Sequence, residues 1–318
     1  MLDTLTRTEG LLSDMHINQI KSGQTVAIVS GVSANFILGA SSLYWKALSA
    51  VPSSTLVAYR ILLSLVTLTL VLGFLRRLGK LRSNLTGKNL LVHGAAGILV
   101  AANWATFIWA SIHGNVIESG LGYLIAPFIT IGLGTIFISE SLGKYRMAAL
   151  TVIAVAILVL IFRSGELKHW VYLAIGTTWG FYGFLKKFSK LDPFGGLFYE
   201  TAILTLVLCV PLITSSVSLA LPQELGSLGI ATLAVAGIVS VLPLWLFSLS
   251  VARLPLAIMG FFQFVLPTTQ VLVALLIYGQ SMSTNTAVTF SVIWCVLFVI
   301  VVEPLVRKRG ASECEEVS

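Results

Sequence analysis

Charged side chains are scarce in this sequence. Asp, Glu, Lys and Arg make up 10% of the 318 residues, whereas hydrophobic residues make up 57%. The mean hydropathy is +0.95. An ordinary soluble domain carries about 25% charged residues. A soluble core of this size buries only part of so much apolar surface, so the composition excludes the soluble globular class.

Cysteine and the common catalytic motifs are also scarce or absent. The three cysteines, Cys209, Cys295 and Cys314, show neither metal-ligand spacing nor the pattern of a disulfide framework. We interpret them as small buried apolar residues. The sequence has no glycine-lysine phosphate loop, no His/Cys/Asp cluster with metal spacing, and no serine–histidine or His-Glu-His arrangement. We therefore expect neither a metal nor a cofactor, and no enzymatic activity.

Long hydrophobic runs dominate what is present. A helix needs about 20 apolar residues to cross the hydrocarbon core, and ten apolar stretches of about this length follow a polar segment at 1–23. They are 24–48, 54–74, 89–109, 117–139, 147–163, 169–186, 196–214, 228–250, 256–278 and 286–306. The polar start shows no cleavable signal peptide, so the first stretch acts as both signal and span. The sequence predicts an all-α integral membrane protein with ten transmembrane helices.

Basic residues are distributed unevenly between the loops. If the N-terminus is cytoplasmic, nearly all loop Lys and Arg residues fall on the cytoplasmic side, and the outer loops carry only Arg163 and Lys168. This bias is the positive-inside pattern. It predicts a multi-pass protein of the cell inner (plasma) membrane with both termini in the cytoplasm. It also accounts for the net charge of +7 without a nucleic-acid partner.

The chain shows an internal repeat at a constant offset of 140 residues. The segment 120–141 aligns with 260–281, and Pro127 falls on Pro267. Upstream, Tyr59-Arg60 falls on Tyr199-Glu200. Five spans per repeat force the second copy to be inverted, an arrangement typical of secondary transporters. We expect a cytoplasmic segment at 1–23, a first repeat at 24–163, a second repeat at 164–306 and a cytoplasmic tail at 307–318.

Several ordered motifs resemble the RarD branch of the EamA-type drug/metabolite transporter superfamily. The motifs are Leu43-Tyr44-Trp45-Lys46, Tyr59-Arg60, Asn103-Trp104, Trp109, His113-Gly114, Glu118, Leu121-Gly122-Tyr123, Trp179-Gly180-Phe181-Tyr182-Gly183, Glu200-Thr201, Pro243-Leu244, Gly260-Phe261, Gln263 and Pro267-Thr268. The resemblance covers about residues 20 to 306. It implies a five-plus-five inverted-repeat fold in the inner membrane and export activity, in a branch named for chloramphenicol sensitivity.

Three charged residues, Lys46, Arg60 and Glu118, fall in the outer third of the predicted spans. A charge in hydrocarbon is costly, so it usually faces a partner or a cavity. Arg60 lies about 9 Å below the outer start of its span at 1.5 Å per residue, and we predict that it pairs with Glu118. Arg60 as a structural tether and Arg60 as a substrate contact both stay open. Lys46 either lines the pathway or extends to the outer surface.

Glu200 enters the membrane from the predicted cytoplasmic side, near Lys186 and Lys187. This difference in depth argues against an ion pair between Arg60 and Glu200. Glu118 and Glu200 are the two carboxylates well inside the predicted spans, so if a carboxylate carries a coupling proton, it is one of these two. Their opposite depths argue against a membrane-embedded enzyme, which needs its acid and base together.

Aromatic and amide side chains form a second set of candidate site residues. Asn103 and Gln263 supply directed hydrogen bonds within an amphipathic cavity. Tyr123 and Gln263 align in the repeat, each four residues before a predicted helix-kinking proline, Pro127 or Pro267. We therefore place the substrate site near them. Placement of the aromatics in an interfacial belt is the alternative. The expected lining residues are Trp45, Asn103, Trp104, Tyr123, Trp179, Tyr182 and Gln263.

The functional prediction is a secondary active exporter that works by alternating access. Its partners are the lipid bilayer and a small amphipathic metabolite or drug-like compound, and a proton or metabolite gradient drives it. A non-catalytic membrane scaffold or sensor subunit is the alternative. The sequence leaves a homodimer open.

Overall fold

The computed structural model describes residues 2–83, 86–163, 167–279 and 283–299, with side chains from residue 23 onward except at 82 and 83. These residues form α-helices and one short 3-10 helix, and the described part of the chain contains no strand. The helices are α1 (Leu2–Ala47), α2 (Ser53–Phe74), α3 (Leu78–Ser83), α4 (Gly87–Ile112), α5 (Val116–Ile138), α6 (Lys144–Arg163), α7 (His169–Lys187), α8 (Pro193–Ile213), the 3-10 helix Gln223–Leu225, α9 (Gly226–Ala234), α10 (Ala236–Arg253), α11 (Leu256–Gln263), α12 (Val265–Leu276) and α13 (Thr284–Val299).

Eight helical segments of the described chain are long and apolar enough to cross a membrane. The prediction of an all-α integral membrane protein is therefore confirmed. Helices α7 and α13 coincide with the sixth and tenth predicted spans but are not among the eight, and α13 is a shorter apolar helix. The count of ten stays a prediction. The end of the tenth predicted span, the tail at 307–318, and the repeat positions Gln280 and Ser281 lie outside the described residues.

The polar segment before the first predicted span is helical and continuous with it. Helix α1 has 46 residues, which corresponds to about 69 Å at 1.5 Å per residue, more than twice the hydrocarbon thickness of about 30 Å. Only Gly23–Ala47 has the apolar character of a membrane span. The predicted boundary at residue 23 therefore marks a change of composition within one helix.

Local capping fixes where two of the central helices begin. Asp192 precedes α8, its Oδ2 accepts a hydrogen bond from Gly195 N at 3.2 Å, and Pro193 occupies the first helical position. Thr86 caps α4 in the same way and accepts from Asn89 N at 3.3 Å. Such side-chain oxygens satisfy amide groups that have no partner within the helix.

The two predicted helix-kinking prolines behave differently. Helix α5 runs without interruption through Pro127. The ninth predicted span is divided at Phe264, between α11 and α12, three residues before Pro267. Pro267 has no N–H to bond the carbonyl of Gln263, which explains an interruption at this point.

Glycines allow α5 and α7 to pack at close range. A Cβ atom on Gly122 would lie 2.7 Å from Ile175 Cβ, and one on Gly180 would lie 2.6 Å from Ile129 Cβ. Gly176 and Gly180 are four residues apart and therefore lie on one face of α7, the small-residue pattern found where membrane helices approach closely. This contact holds α5 and α7 as one unit at the centre of the bundle.

Contacts between helices recur in pairs. Helix α1 packs against α10 and α12, while α7 packs against α4 and α5; α2 packs against α10, while α8 packs against α4. Tyr59 near the start of α2 donates a hydrogen bond to Leu219 O beyond the end of α8, at 2.9 Å. Tyr199 near the start of α8 donates to Leu81 O beyond the end of α2. Helices α2 and α8 are therefore antiparallel neighbours that are anchored in the same way.

Glu140 connects the end of α5 to the start of α11. Its Oε1 accepts a hydrogen bond from Leu256 N at 2.9 Å, and its Oε2 accepts from Ala257 N at 2.8 Å. A carboxylate at a helix N-terminus is stabilised both by these bonds and by the helix dipole.

Candidate functional site

Arg60 is buried among aromatic rings. Its side chain is 2% exposed, and its guanidinium carbon lies 4.8 Å from the ring centre of Trp45 and 4.1 Å from that of Trp104. The phenol of Tyr123 is close enough to interact with it electrostatically. Nε and Nη1 of Arg60 have no hydrogen-bond partner in the described chain. We call this group, Arg60 with Trp45, Trp104 and Tyr123, the Arg60 cage.

The predicted pairing of Arg60 with Glu118 is wrong. Glu118 is partly exposed in the first turn of α5, and the ion pairs of the described residues do not include it. Its charge is stabilised there by the N-terminal end of the helix dipole. The charge of Arg60 instead faces aromatic rings, which attract cations electrostatically.

Lys46 lies outside the Arg60 cage, and its place on the transport pathway stays a prediction. It is exposed, and its Nζ donates a weak hydrogen bond to Ile112 O at 3.5 Å. Its neighbour Trp45 points inward and is fully buried. The long stem of Lys46 carries its charge to the surface, the alternative that the sequence left open.

Asn103 and Tyr123 link three helices beneath the Arg60 cage. Tyr123 Oη donates a hydrogen bond to Asn103 Oδ1 at 2.9 Å. Asn103 Nδ2 donates to Ile175 O at 3.3 Å and to Thr178 Oγ1 at 3.2 Å. Both side chains are buried, so these bonds fix the orientation of the Tyr123 ring toward Arg60.

A row of stacked aromatic rings continues inward from Tyr123. Tyr123 meets Trp179 edge-on with ring centres 6.0 Å apart, and Trp179 stacks on Tyr182 at 5.4 Å. Phe247 packs against both, at 5.0 and 6.1 Å. All four rings are buried. We call Tyr123, Trp179, Tyr182 and Phe247 the aromatic row.

The aromatic row ends at a buried carboxylate. Glu200 is 1% exposed, and its Oε1 lies 2.7 Å from Lys186 Nζ and 2.9 Å from His93 Nδ1. Tyr182 Oη donates a hydrogen bond to Glu200 Oε2 at 3.1 Å. Ser189 Oγ lies 3.1 Å from the other ring nitrogen of His93. We call Glu200, Lys186, His93 and Tyr182 the Glu200 cluster.

The candidate site residues from the sequence include neither His93 nor Lys186. His93 lies near a predicted span boundary, and Lys186 is placed near Glu200 by depth alone, at the end of a span. One signal was present for Lys186, since it lies one helical turn after Tyr182 and therefore on the same face of α7. His93 reaches Glu200 because Gly196 leaves room for its ring, which lies 2.7 Å from a Cβ atom built on that glycine.

Gln263 is buried but lies apart from the aromatic row's polar groups. Its amide oxygen and nitrogen each lie 3.3 Å from Thr130 Oγ1. Thr130 is two helical turns beyond Tyr123 on α5, so the two repeat-related residues do not face each other. Gln263 bridges α11 to α5 at the interruption before Pro267.

Metal ligands and buried thiols are not part of this arrangement. Within the described residues no group of three His, Cys, Asp or Glu side chains is placed to hold a metal ion. Cys209 and Cys295 are free and exposed, which corrects their interpretation as buried residues, and Cys314 lies outside the described residues. Both exposed thiols lie on apolar helices, where exposed faces meet lipid.

Known proteins with similar sequences carry transporter names. An uncharacterized transporter of Bacillus subtilis, YojE, is 34% identical over 284 residues, covering 87% of this chain and 94% of the relative. An uncharacterized transporter of Vibrio cholerae is 32% identical over 288 residues, covering 89% and 94%. Protein RarD of Escherichia coli is 29% identical over 302 residues, covering 94% and 100%. No protein-family model matches the chain.

The chain belongs to the RarD-like transporter family. It is a membrane transporter, in agreement with its apolar helices. One solved structure, described only as the crystal structure of a protein, superposes with a TM-score of 0.66 at 17% identity. The superposition covers 89% of this chain and 99% of the solved chain, and it supports the fold alone.

Proposed function

We propose that this RarD-like transporter is a secondary active exporter of a small amphipathic metabolite or drug-like compound. It lies in the inner membrane with ten spans and both termini in the cytoplasm, and it works by alternating access. The observation that carries the proposal is the unbroken series of buried groups from the Arg60 cage through the aromatic row to the Glu200 cluster. A scaffold or sensor subunit gives no reason for buried charges at both ends of such a series.

The chemistry of this series suits an amphipathic molecule. Apolar ring faces accept hydrophobic surface, and a few polar groups give it direction. Tyr123 and Tyr182 present both kinds of surface, since each has a ring in the row and a hydroxyl in a hydrogen bond. Trp45, Trp104, Asn103 and Glu200 complete the proposed pathway, and Gln263 borders it at the helix interruption.

Reciprocal contacts support the proposal that residues 24–163 and 164–306 form an inverted repeat. A Cβ atom on Gly120 would lie 3.4 Å from Gln270, and one on Gly260 would contact Ile131. At the offset of 140 residues, Gly120 corresponds to Gly260, and Gln270 corresponds to the neighbour of Ile131. The tyrosine anchors of α2 and α8 follow the same relation. Two halves of this kind are able to rock about a central site.

The Glu200 cluster is the proposed site of proton coupling. Glu200, Lys186 and His93 are three titratable groups in direct contact and shielded from solvent. A proton gained or lost by one of them changes the charge of the whole group, because interactions between charges are strong where water is excluded. Such a change is able to favour one of two arrangements of the helices that meet there, α4, α7 and α8.

A transport assay on reconstituted protein tests this function. Ligands are first found by their effect on the melting temperature, with amino acids, nucleosides, sugar phosphates and amphiphilic drugs including chloramphenicol as probes. Counterflow of a labelled hit is then measured in proteoliposomes, with and without a proton gradient. We expect uptake above that of empty liposomes and stimulation by the gradient.

The double variant Lys186→Met/Glu200→Gln removes both charges of the pair together. We expect it to bind the ligand but to lose stimulation by the gradient. Glu224→Gln, at an exposed carboxylate, is the matched control and should behave as wild type. Uptake no greater than in empty liposomes for every probe would reject the transport proposal, and unchanged stimulation in the double variant would reject the coupling site.

A further inference from the structure

Buried charge is unbalanced in the spans of this protein. Three residues with a permanent charge at neutral pH are buried among the described residues: Arg60, Lys186 and Glu200. Glu200 lies 2.7 Å from Lys186, and His93 lies on the same carboxylate oxygen. Among the described residues, the one buried carboxylate is therefore paired, and Arg60 has no counter-charge.

Aromatic contacts satisfy Arg60 only in part. Trp45 and Trp104 offer ring faces, which attract the cation but accept no strong hydrogen bonds. Arg60 carries five N–H groups and cannot be deprotonated under ordinary conditions. Its Nε and Nη1 are buried without an acceptor among the described residues, although buried polar groups normally have one. Two nitrogen atoms of a cation, which carry three N–H groups, are thus available to an acceptor from outside the chain.

Tyr123 and Asn103 do not compete for that acceptor, and the indole Nε1 of Trp45 is a further buried donor without a partner among the described residues. Tyr123 Oη and Asn103 Oδ1 are engaged with each other at 2.9 Å. The rings of Trp45, Trp104 and Tyr123 offer flat apolar surface beside the free donors. The site therefore matches a molecule that has an anionic acceptor at one end and a flat apolar body.

A groove on the protein surface is lined by residues of α2 and α4 that are close in sequence to the Arg60 cage, although none of the four cage residues lines it. This groove of about 390 Å³ is lined by Val57 of α2, one turn before Arg60, and by Thr106 of α4, two residues after Trp104. Trp109 also lines this groove. The exposed Lys168 places its Nζ 5.0 Å from the Trp109 ring centre, so a positive charge lies at the rim.

We propose that the Arg60 cage binds the anionic group of the transported molecule, so that the substrate of this protein is an organic anion with an aromatic or similarly flat apolar body. The inference rests on the proposed transport function and names its substrate class. A carboxylate or sulfonate accepts from Arg60, while Trp104 and Tyr123 contact the attached ring. An inorganic anion such as chloride shares the acceptor chemistry but not the apolar body.

Matched pairs of probes test the charge requirement on the unaltered protein. Benzoate is compared with benzamide, and benzenesulfonate with benzenesulfonamide, because each pair shares a ring and differs in charge. Binding to the purified full chain is followed by the melting temperature and by tryptophan fluorescence, to which Trp45 and Trp104 contribute among the seven tryptophans of the chain. We expect each anion to bind at least tenfold more tightly than its neutral partner. Equal binding within both pairs would overturn the proposal.

A chloride titration shows whether the site binds an organic anion or an inorganic one. Sodium chloride is titrated at constant ionic strength, with isethionate as the replacing anion. If chloride does not displace benzenesulfonate, the result supports an organic substrate. Saturable chloride binding that displaces benzenesulfonate would overturn the substrate assignment, since the site would then hold an inorganic ion.

Variants at Arg60 locate the effect. In Arg60→Gln, the ratio of the affinity for an anion to that for its neutral partner should fall at least tenfold. Arg60→Lys should keep part of this ratio, because lysine retains the charge with fewer donors. Arg163→Gln, at an exposed arginine at the end of α6, is the control and should bind as wild type. An undiminished preference in Arg60→Gln would contradict the assignment.

Counterflow of labelled benzenesulfonate separates this inference from the transport proposal. If neutral probes are transported as fast as anions, and if Arg60→Gln does not change this transport, the anion site is rejected while the transport proposal stands. Arg60-dependent binding of benzenesulfonate without transport of any probe would reject the transport proposal while the anion site stands.

Discussion

Arg60 and Glu200 occupy equivalent places in α2 and α8, yet the chain treats their charges in opposite ways. Each lies seven residues after the first residue of its helix and is almost fully buried. Glu200 has Lys186, His93 and Tyr182 around its carboxylate, whereas Arg60 has ring faces and free N–H groups. The comparison teaches that burial alone does not define a site. The Glu200 cluster satisfies its charges internally, and the Arg60 cage leaves one to be satisfied by a ligand.

The largest effect is expected from breaking the Glu200 cluster. Glu200→Gln leaves Lys186 buried without its carboxylate, and removing one partner of a buried pair costs about 3–5 kcal/mol of stability. Lys186→Met/Glu200→Gln should recover most of this loss, because neither charge of this pair remains. Reversible unfolding in mixed micelles gives the free energy of unfolding of both variants and of the single variant Lys186→Met. If the losses from the two single changes add up in the double variant, the two groups are not a coupled pair.

A smaller effect is expected from the aromatic support of Arg60. Trp104→Leu should destabilise the protein by about 2 kcal/mol, through lost packing and through loss of a cation–π contact worth about 1 kcal/mol or more when desolvated. The loss due to the cation–π contact should be absent when Arg60 is already replaced by Met. The same unfolding assay on the single and double variants gives the coupling energy, and a coupling of zero would mean that the ring does not stabilise the cation.

The smallest effect is expected from removing the unpaired charge itself. Arg60→Met should change the unfolding free energy by no more than about 1 kcal/mol, because the cost of burying the cation is lost along with its contacts. This outcome contrasts with Glu200→Gln and sharpens the difference between the two sites. A loss of several kcal/mol would instead identify Arg60 as a structural tether.

The sequence predicts the helical spans well because hydrophobic length depends only on local composition. Depth also separates Arg60 from Glu200 correctly, since it follows from residue count along a helix. Depth does not reveal which face of a helix carries a side chain. A shared depth therefore predicts a pair between Arg60 and Glu118, whereas Glu118 lies in the first turn of α5 and Arg60 faces Trp45 and Trp104.

The sequence does not predict which side chains contact one another in the site. Lys186 lies near the end of its helix, but its long side chain extends to Glu200 within the bundle. His93 reaches Glu200 because Gly196 leaves room for its ring, a contact that sequence position alone does not reveal. Tyr123 and Gln263 align in the repeat, but each bonds a different partner, Asn103 and Thr130. Alignment identifies equivalent backbone positions, whereas contacts depend on the particular neighbours.

The contact of Glu140 with the start of α11 has a consequence for the proposed alternating access. Its two oxygens accept from two successive amides, and α5 and α11 belong to different predicted repeats. In the proposed cycle, separation of the repeats on this side breaks both bonds. Because the two bonds form only while the end of α5 meets the start of α11, they favour the closed arrangement on this side of the bundle.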